Sequence, residues 1–185
     1  MQPQTQPTQE FSAEERQLLL RIAHGSIESA VRSREFHAEA VPAHLQEPRG
    51  AFTTIHLHGQ LHGCVGYILP VWPLHATVAE TAASAAMNDP RFVPLTFAEA
   101  TEVTLEISIL SPPFDVSPQQ VHPGVHGLIV SDGRRRGLLL PQVALEHGWD
   151  AGQFLTHTCL KARLAADAWR QGARIEAFTA EIFRE

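Results

Sequence analysis

The feature that most restricts how this chain can fold is an order of elements that occurs twice. Around residues 51–110, a β-branched stretch with a central turn is followed by an alanine-rich helical stretch and then by a strand. Around residues 127–183 the order returns as a second hairpin, helices and a last strand. Hairpins mixed with helices in this way are typical of α+β proteins. The sequence therefore predicts an α+β fold with a mostly antiparallel sheet and two related halves.

Local signals place the element boundaries. Ser12-Ala-Glu-Glu is a capping-box pattern, which predicts a helix from Ser12 to about Glu35. A second helix is expected over about 74–88, because the residue before a proline avoids the helical conformation and so ends it. In the second hairpin, Asp132-Gly133 suits a type I′ turn.

The composition favours one cytoplasmic domain. A chain of 185 residues with 44% hydrophobic and 18% charged residues can form a core without disulfide or metal support. Two cysteines make no disulfide framework, and the polar start and lack of long apolar runs argue against a secretory signal or membrane span. We expect residues 1–10 to be a disordered tail and residues 11–185 to form a single domain, with or without a small lobe. The net charge of −6 makes nucleic acid an unfavoured partner.

The string LHGCVG, residues 61–66, places one of the two cysteines between glycines. As a nucleophile Cys64 would need a nearby base or cation, because the thiolate is the reactive form. His62 is the candidate for that role, and Gly63 and Gly66 would leave room for a substrate and for backbone donors. A small buried thiol is the alternative, and composition and spacing do not separate the two interpretations.

The hairpin around Cys64 also carries His56, His58 and His62. A two-residue turn at Gly59-Gln60 would put His56 and His58 on the sheet face opposite to His62 and Cys64. A three-residue turn would put His56, His62 and Cys64 on one face, and it is preferred because it leaves the cleaner apolar face. That register collects three ligands for a soft metal. Their spacing matches no tight metal signature, so a solvated hairpin face is favoured and no metal site is predicted.

NDPRF, residues 88–92, is the second unusual string. Asp89 and Arg91 flank a proline, so a carboxylate and a guanidinium project from a rigid turn. In a functional interpretation they would bind an anionic group or orient a catalytic partner. In a structural interpretation they would cap the preceding helix and form a local ion pair. Glu106, on the polar side of a later strand, has the same two interpretations. The pattern alone favours the structural one for all three residues.

Three ordered blocks resemble the AMMECR domain family, whose prokaryotic members are known as AmmeMemoRadiSam system protein A. LHGCVG is similar to the family's LRGCIG signature, and MNDPRFVPLTFAEATEVTLEISILSPP and GLLLPQVALEHGWDAGQFLTHTCLKARL are similar to its following and C-terminal blocks. The resemblance covers the chain from about residue 13 to the end. It implies a barrel-like sheet with helices packed on it, and a Memo-like protein and a radical S-adenosylmethionine (SAM) protein as partners. It implies no established reaction and identifies no cofactor.

The resemblance also marks individual positions, with one departure: His62 stands where the family has arginine, so a positive charge there requires protonation. The marked residues are Gly63, Cys64, Gly66, Asp89, Pro90, Arg91, Phe92, Glu106, Cys159 and Lys161. Together with the residue patterns, they give a catalytic set of Cys64, His62, Asp89, Arg91 and Glu106. The residues assigned to substrate binding are Gly63, Gly66, Asn88 and Lys161.

Two functions from different classes fit this set. The first is an enzyme or enzyme subunit that uses Cys64 in a cleft, for acyl or thiol transfer on a small molecule or for a step on the radical partner's product. The second is a noncatalytic module whose hairpin and DPRF turn dock the Memo-like or radical SAM partner. Convergence of Cys64, Asp89, Arg91 and Glu106 on one cleft would favour the enzyme.

Overall fold

The fold is known from a computed structural model that describes residues 10–38 and 40–185, so the expected tail lies outside the described residues apart from residue 10. The chain divides into two compact units. The first contains the described residues up to Leu110 together with Glu181–Glu185, and the second contains Ser111–Ala180. The helices and strands are α1 (Ala13–Val31), β1 (Ala51–Leu57), β2 (Gln60–Tyr67), α2 (Leu74–Met87), β3 (Val103–Leu110), β4 (Phe114–Asp115), β5 (Gly127–Asp132), β6 (Arg135–Leu139), α3 (Pro141–Glu146), α4 (Ala151–Lys161), β7 (Arg174–Phe178) and β8 (Ala180–Arg184).

The first unit is a four-stranded sheet with α1 and α2 packed together beside it. The strand order is β2-β1-β3-β8, and β1 is antiparallel to both β2 and β3. Odd-numbered residues of β1 and β3 are buried with the apolar faces of both helices, and Ile55, Leu105 and Ile107 are almost completely inaccessible. Because side chains alternate along a strand, the even-numbered residues lie on the other face of the sheet.

The second unit repeats the arrangement on a smaller scale. Its strand order is β4-β7-β5-β6, with β5 antiparallel to β6 and β7. Its core contains Leu128 and Ala177 from the sheet and Phe154 and Leu155 from α4, all nearly inaccessible. As in the first unit, a hairpin is followed by a helix and by a strand that returns beside the first strand of the hairpin.

The predicted order of hairpin, helix and strand is therefore present twice, and the mostly antiparallel α+β class is confirmed. The barrel-like sheet is not confirmed. In the described part of the chain each sheet is an open row of four strands rather than a closed one. Across that same part, no helix has both the length and the apolar composition needed to cross a membrane.

Two boundary predictions need correction. The capping box at Ser12 is present, but α1 ends at Val31 instead of about residue 35, and Ser33 with φ of 54° leaves the helical conformation. In the second hairpin Asp132 pairs with Arg135, so the turn is centred one residue later than predicted. Only its first central residue, a glycine, has positive φ, which fits a type II′ turn and not a type I′ turn.

Candidate functional site around Cys64

The hairpin that carries Cys64 has a two-residue turn and a bulge. His58 and Gly59 both have positive φ, 51° and 76°, as a type I′ turn requires. The register shifts beside His62, which is the extra residue of the bulge. Beyond the bulge Thr54 pairs with Cys64, which is the register of the preferred three-residue turn. The pairing predicted for Cys64 is therefore confirmed. The predicted three-residue turn and the predicted pairing of His62 with His56 are wrong.

Cys64 lies in a polar row across the sheet face opposite to the core. Thr54 pairs with Cys64 on one side and with Glu106 on the other. Strands are about 4.8 Å apart, so the backbones of Cys64 and Glu106 are separated by about 10 Å. The Thr54 hydroxyl donates a hydrogen bond to the Cys64 sulfur at 3.3 Å. Glu106 therefore shares the face with the thiol, but Thr54 lies between them.

Asp89 and Arg91 bind the backbone of Cys64 from outside the sheet. Because β2 is an edge strand, the outward N–H and C=O of Cys64 have no neighbouring strand. The N–H donates to Asp89 Oδ2 at 2.9 Å, and Arg91 Nη2 donates to the C=O at 3.2 Å. Arg91 also bonds both carboxylate oxygens of Asp89, at 2.9 and 2.7 Å. We call this arrangement of Asp89 and Arg91 the backbone clamp.

The backbone clamp has an inner anion and an outer cation. The Asp89 side chain is only 3% exposed, whereas that of Arg91 is 56% exposed. Hydrogen bonds from the Arg91 side chain and from the Cys64 and Arg91 N–H groups outweigh burial and hold the pKa of Asp89 well below its usual range. The hydrogen bond to Asp89 likewise raises the pKa of Arg91. Asp89 is thus a fixed anion with little basicity, which makes it a poor proton acceptor for the thiol.

His62 is not directed at Cys64. Its Nε2 is 3.0 Å from the carbonyl oxygen of Val93, and its ring stacks on Phe92. The bulge is the physical reason, because it breaks the alternation that would have aligned His62 with Cys64. Within residues 10–38 and 40–185, no three His, Cys, Asp or Glu side chains are grouped as metal ligands, so the ligand trio that included His56 does not form.

The space expected at Gly63 and Gly66 is filled by the protein. A Cβ atom on Gly63 would overlap the carbonyl oxygen of Ala85, where the last turn of α2 crosses β2. A Cβ on Gly66 would overlap the ring of Phe52. The two glycines therefore allow close packing on both faces of the strand, and these two positions offer a substrate no room.

The other assigned residues lie apart from the thiol. Asn88 is exposed and ends α2, with its N–H bonded to the carbonyl of Ser84. Lys161 is the exposed last residue of α4, in the second unit. Cys159, in the same helix, is fully buried, and burial raises the pKa of its thiol. The residues that the structure brings together are Cys64, Asp89 and Arg91, with Glu106 on the same sheet.

Sequence reasoning missed Thr54 and Phe52. Both lie on even-numbered positions of β1, opposite Cys64 and Gly66. The preferred register already pairs them with those residues, so the signal was available. The contact between His62 and Val93 had no such signal, because it depends on where the segment after Asp89 returns.

The fold and the site define a class: an α+β protein built from a repeated hairpin, helix and strand, with one cysteine fixed at a sheet edge. Residues 20–183 match the AMMECR1 family, and the chain belongs to that family. A protein of Methanocaldococcus jannaschii is 40% identical over 185 residues, which cover 95% of this chain and 92% of the relative. A protein of Methanothermobacter thermautotrophicus is 41% identical over 185 residues, or 95% and 96% of the two chains.

A solved structure supports the same placement. The crystal structure of an uncharacterized protein from Pyrococcus horikoshii is 35% identical and has a TM-score of 0.78. The match covers 95% of this chain and 93% of that chain.

Proposed function

We propose that this chain acts as an AmmeMemoRadiSam system protein A and that its first unit is an enzyme, or enzyme subunit, with Cys64 as nucleophile. The observation that carries the proposal is the backbone clamp. A buried carboxylate is unfavourable unless it is fully paired, and here Asp89 is paired with Arg91 and fixes the backbone of Cys64 as well as that of its own turn. Such support from neighbouring groups is what a reacting side chain needs to keep its position.

The reaction we propose is acyl transfer from a substrate that carries an anionic group. The Cys64 sulfur forms a bond to the acyl carbon, the leaving group departs with its electron pair, and the thiol proton passes to water. Water or an acceptor nucleophile then cleaves the thioester and the thiol recovers a proton. Covalent catalysis of this kind divides one difficult step into two easier ones.

Each nearby group has a separate role in this proposal. The outer guanidinium nitrogen of Arg91, Nη1, has no hydrogen bond within the part of the chain that the structure describes, and it would bind the anionic group. Asp89 orients Arg91 and the Cys64 backbone. Glu106, across Thr54, would contact the part of the substrate that extends over the sheet. His62 fixes the segment after Asp89 through Val93.

Alkylation tests the environment of the thiol. Iodoacetate is anionic and iodoacetamide is neutral. A nearby cation therefore raises the ratio of the iodoacetate rate to the iodoacetamide rate above the ratio for free cysteine. We expect Cys64 to react in the native protein, with a ratio about threefold above that of free cysteine, as a screened charge nearby would give. Peptide mapping by mass spectrometry separates Cys64 from Cys159, which should react only after unfolding.

Variants locate the effect. Arg91→Gln should lower the ratio to that of free cysteine or below it, because it leaves the Asp89 carboxylate beside Cys64 without its cation. Arg21→Gln, an exposed change on α1, should leave the ratio raised. A succinyl thioester should then give a succinylated Cys64 in intact-mass spectra, and Cys64→Ala should give none. A thiol that stays unmodified by all three reagents until denaturant is added would rule out the nucleophile.

A noncatalytic docking module is the second candidate, and exposed apolar side chains after β2 favour it. Leu69, Val71 and Trp72 are 52%, 66% and 45% exposed, directly after an edge strand. Large exposed apolar side chains that lie together commonly mark interaction sites. In this proposal the partner is the Memo-like or the radical SAM protein that the family resemblance implies.

Co-expression with those two partners tests the docking proposal. We expect a complex that Val71→Asp weakens at least tenfold in dissociation constant, because it places a charge in an apolar contact. Cys64→Ala should leave the complex intact, which separates docking from chemistry. Partners that neither associate at micromolar concentration nor change one another's turnover would contradict the assignment to this system.

A further inference from the structure

The first unit has a cavity of about 490 Å³ that is separate from the residues around Cys64. It lies between the second half of α1, the segment 34–38 and the exposed side of α2. A volume of several hundred Å³ is in the range of sites for small molecules. The residues that line it determine which chemical groups a ligand would need.

The floor of the cavity is apolar and fixed. It is formed by Ala30 of α1, by Ala79 and Ala83 of α2, and by Phe36. The α2 residues are four apart and so lie on one helix face. The Phe36 ring rests on Gly25, where an added Cβ would lie 2.6 Å from a ring carbon. A flat apolar group would therefore find a preformed surface.

The rim carries opposite charges that do not neutralise each other. Arg34 and Glu80 both line the cavity. In the described stretches 10–38 and 40–185, neither belongs to an ion pair, and the one side-chain partner of Glu80 is the hydroxyl of Ser84 at 3.1 Å. A guanidinium binds a carboxylate and a carboxylate binds an ammonium, so a ligand with both groups would satisfy both residues.

His75 adds a third polar group to the wall. Its Nδ1 is 3.1 Å from the carbonyl oxygen of Leu45, so Nδ1–H is the donor in that bond. The ring's Nε2 is then left to accept a hydrogen bond from an ammonium. His75 lies more than one helical turn from Glu80, so it adds a polar group to the wall at a separate point from the Glu80 carboxylate.

We propose that this cavity binds a free α-amino acid with a large apolar side chain. The carboxylate would pair with Arg34, the ammonium with Glu80, and the side chain would lie on the alanine and Phe36 floor. The cavity is open on one side and the ligand is small, so we expect a dissociation constant of about 1 to 10 mM. The inference is independent of the role proposed for Cys64.

Saturation-transfer NMR with L-phenylalanine as the probe tests the inference on the full chain. Three analogues each lack one group: 3-phenylpropionate the ammonium, 2-phenylethylamine the carboxylate, and glycine the apolar side chain. Each should bind at least about fivefold more weakly, the effect of losing one charge-assisted or apolar contact. Equal binding of phenylalanine and 3-phenylpropionate would overturn the zwitterion assignment.

Charge variants locate the site. Arg34→Gln should weaken the binding of phenylalanine at least about fivefold but leave the binding of 2-phenylethylamine unchanged. Glu80→Gln should weaken the binding of phenylalanine but leave the binding of 3-phenylpropionate unchanged. Ala83→Leu, which fills the floor, should abolish saturable binding, while Arg21→Gln should have no effect. Circular dichroism confirms folding of each variant. Absence of saturable binding up to about 50 mM, or binding that none of the three cavity variants changes, would show the proposal to be wrong.

Discussion

The two units place a glycine at the same point of the same motif. Gly63 in β2 lies against Ala85 at the end of α2, and Gly137 in β6 lies against Ala162 at the end of α4. In both units an added Cβ would overlap helix backbone. The glycine before Cys64 thus belongs to the shared way in which helix and hairpin pack, and it does not mark a substrate site.

The next residue is where the units differ. The row of Cys64, Thr54 and Glu106 in the first unit corresponds by strand register to Leu138, Ile129 and Glu176 in the second. Glu176 is buried and lies 3.3 Å from Arg174 and 3.8 Å from Arg136, whereas Glu106 has no ion pair in the described residues. In the second unit two arginines neutralise the carboxylate of Glu176. In the first unit the carboxylate of Glu106 is left without an ion pair in the described residues. This contrast agrees with the backbone clamp, on which we base the proposal that Cys64 of the first unit is the reactive group.

The largest expected effect tests the shared packing. Gly63→Ala and Gly137→Ala should each lower the free energy of unfolding by about 3 kcal/mol, because helix backbone cannot move as a flexible side chain can. Gly59→Ala is the matched control, since its surroundings are open and only its positive φ is unfavourable, at about 1 kcal/mol. Urea unfolding measures all three. If Gly137→Ala costs no more than the control, the two units are not equivalent.

The second prediction concerns the backbone clamp of the first unit. Asp89→Asn should lower the free energy of unfolding at pH 7 by about 2 to 3 kcal/mol. Because the folded state lowers the pKa of Asp89, its stabilisation is complete above the unfolded value of about 4 and is lost as pH falls below it. Urea titrations between about pH 2 and 7 should show that loss in the parent chain and less of it in the variant.

A matched aspartate in the second unit provides the control. Asp115 also pairs with an arginine, at 2.9 Å, but both side chains are more than half exposed. Asp115→Asn should therefore cost less than about 1 kcal/mol. Equal costs at Asp115 and Asp89 would mean that the backbone clamp adds nothing beyond an ordinary surface pair.

The third prediction separates the two equivalent glutamates. Glu176→Gln should destabilise the protein by about 1 to 2 kcal/mol, because it leaves two arginines beside a neutral, mostly buried amide. Glu106→Gln should change stability by less than about 0.5 kcal/mol. Thermal unfolding of both variants checks this. A larger loss at Glu106 would show that it is structural, and would weaken its place in the site.

The smallest effect is kinetic and compares the two rows directly. Leu138→Cys puts a thiol at the position equivalent to Cys64. No arginine is bonded to the Leu138 backbone in the described residues, and Arg136, two residues away on the same strand face, is paired with Glu176. The ratio of iodoacetate to iodoacetamide rates at the new thiol should equal that of free cysteine, about threefold below the ratio at Cys64. Mass-spectrometric peptide mapping reads both thiols in one sample. Equal ratios at the two positions would remove Arg91 as the cause.

The sequence predicts the fold well where signals are local or repeated. The capping box at Ser12, the helix ending before Asp89 and the repeated hairpins are all found, because caps, prolines and alternation act within a few residues. The early end of α1 and the exact turn of the second hairpin were missed. Both depend on positive φ values, at Ser33 and Gly133, that residue type only weakly specifies.

The site is predicted less well, because its key bonds go to backbone atoms. The family resemblance groups Asp89 and Arg91 with Cys64, and the structure places them in contact with that residue. Nothing in the residue types says that the pair binds the N–H and C=O of Cys64 and not its thiol. That outcome follows from β2 being an edge strand, which is a property of the whole sheet. The bulge at His62 is equally nonlocal, since alternation along one strand cannot reveal an inserted residue.

The return of the chain into the first unit has a consequence for how the protein is made. Strand β8 completes the sheet beside β3, with Phe183 in the core and Glu181 bonded to Arg16. These residues follow the whole of Ser111–Ala180 in the chain, so the sheet of the first unit lacks β8 until synthesis has passed the second unit. An unpaired edge invites pairing with other chains. Until β8 pairs with β3, the first unit of a chain in synthesis therefore carries an edge strand that can pair with another chain.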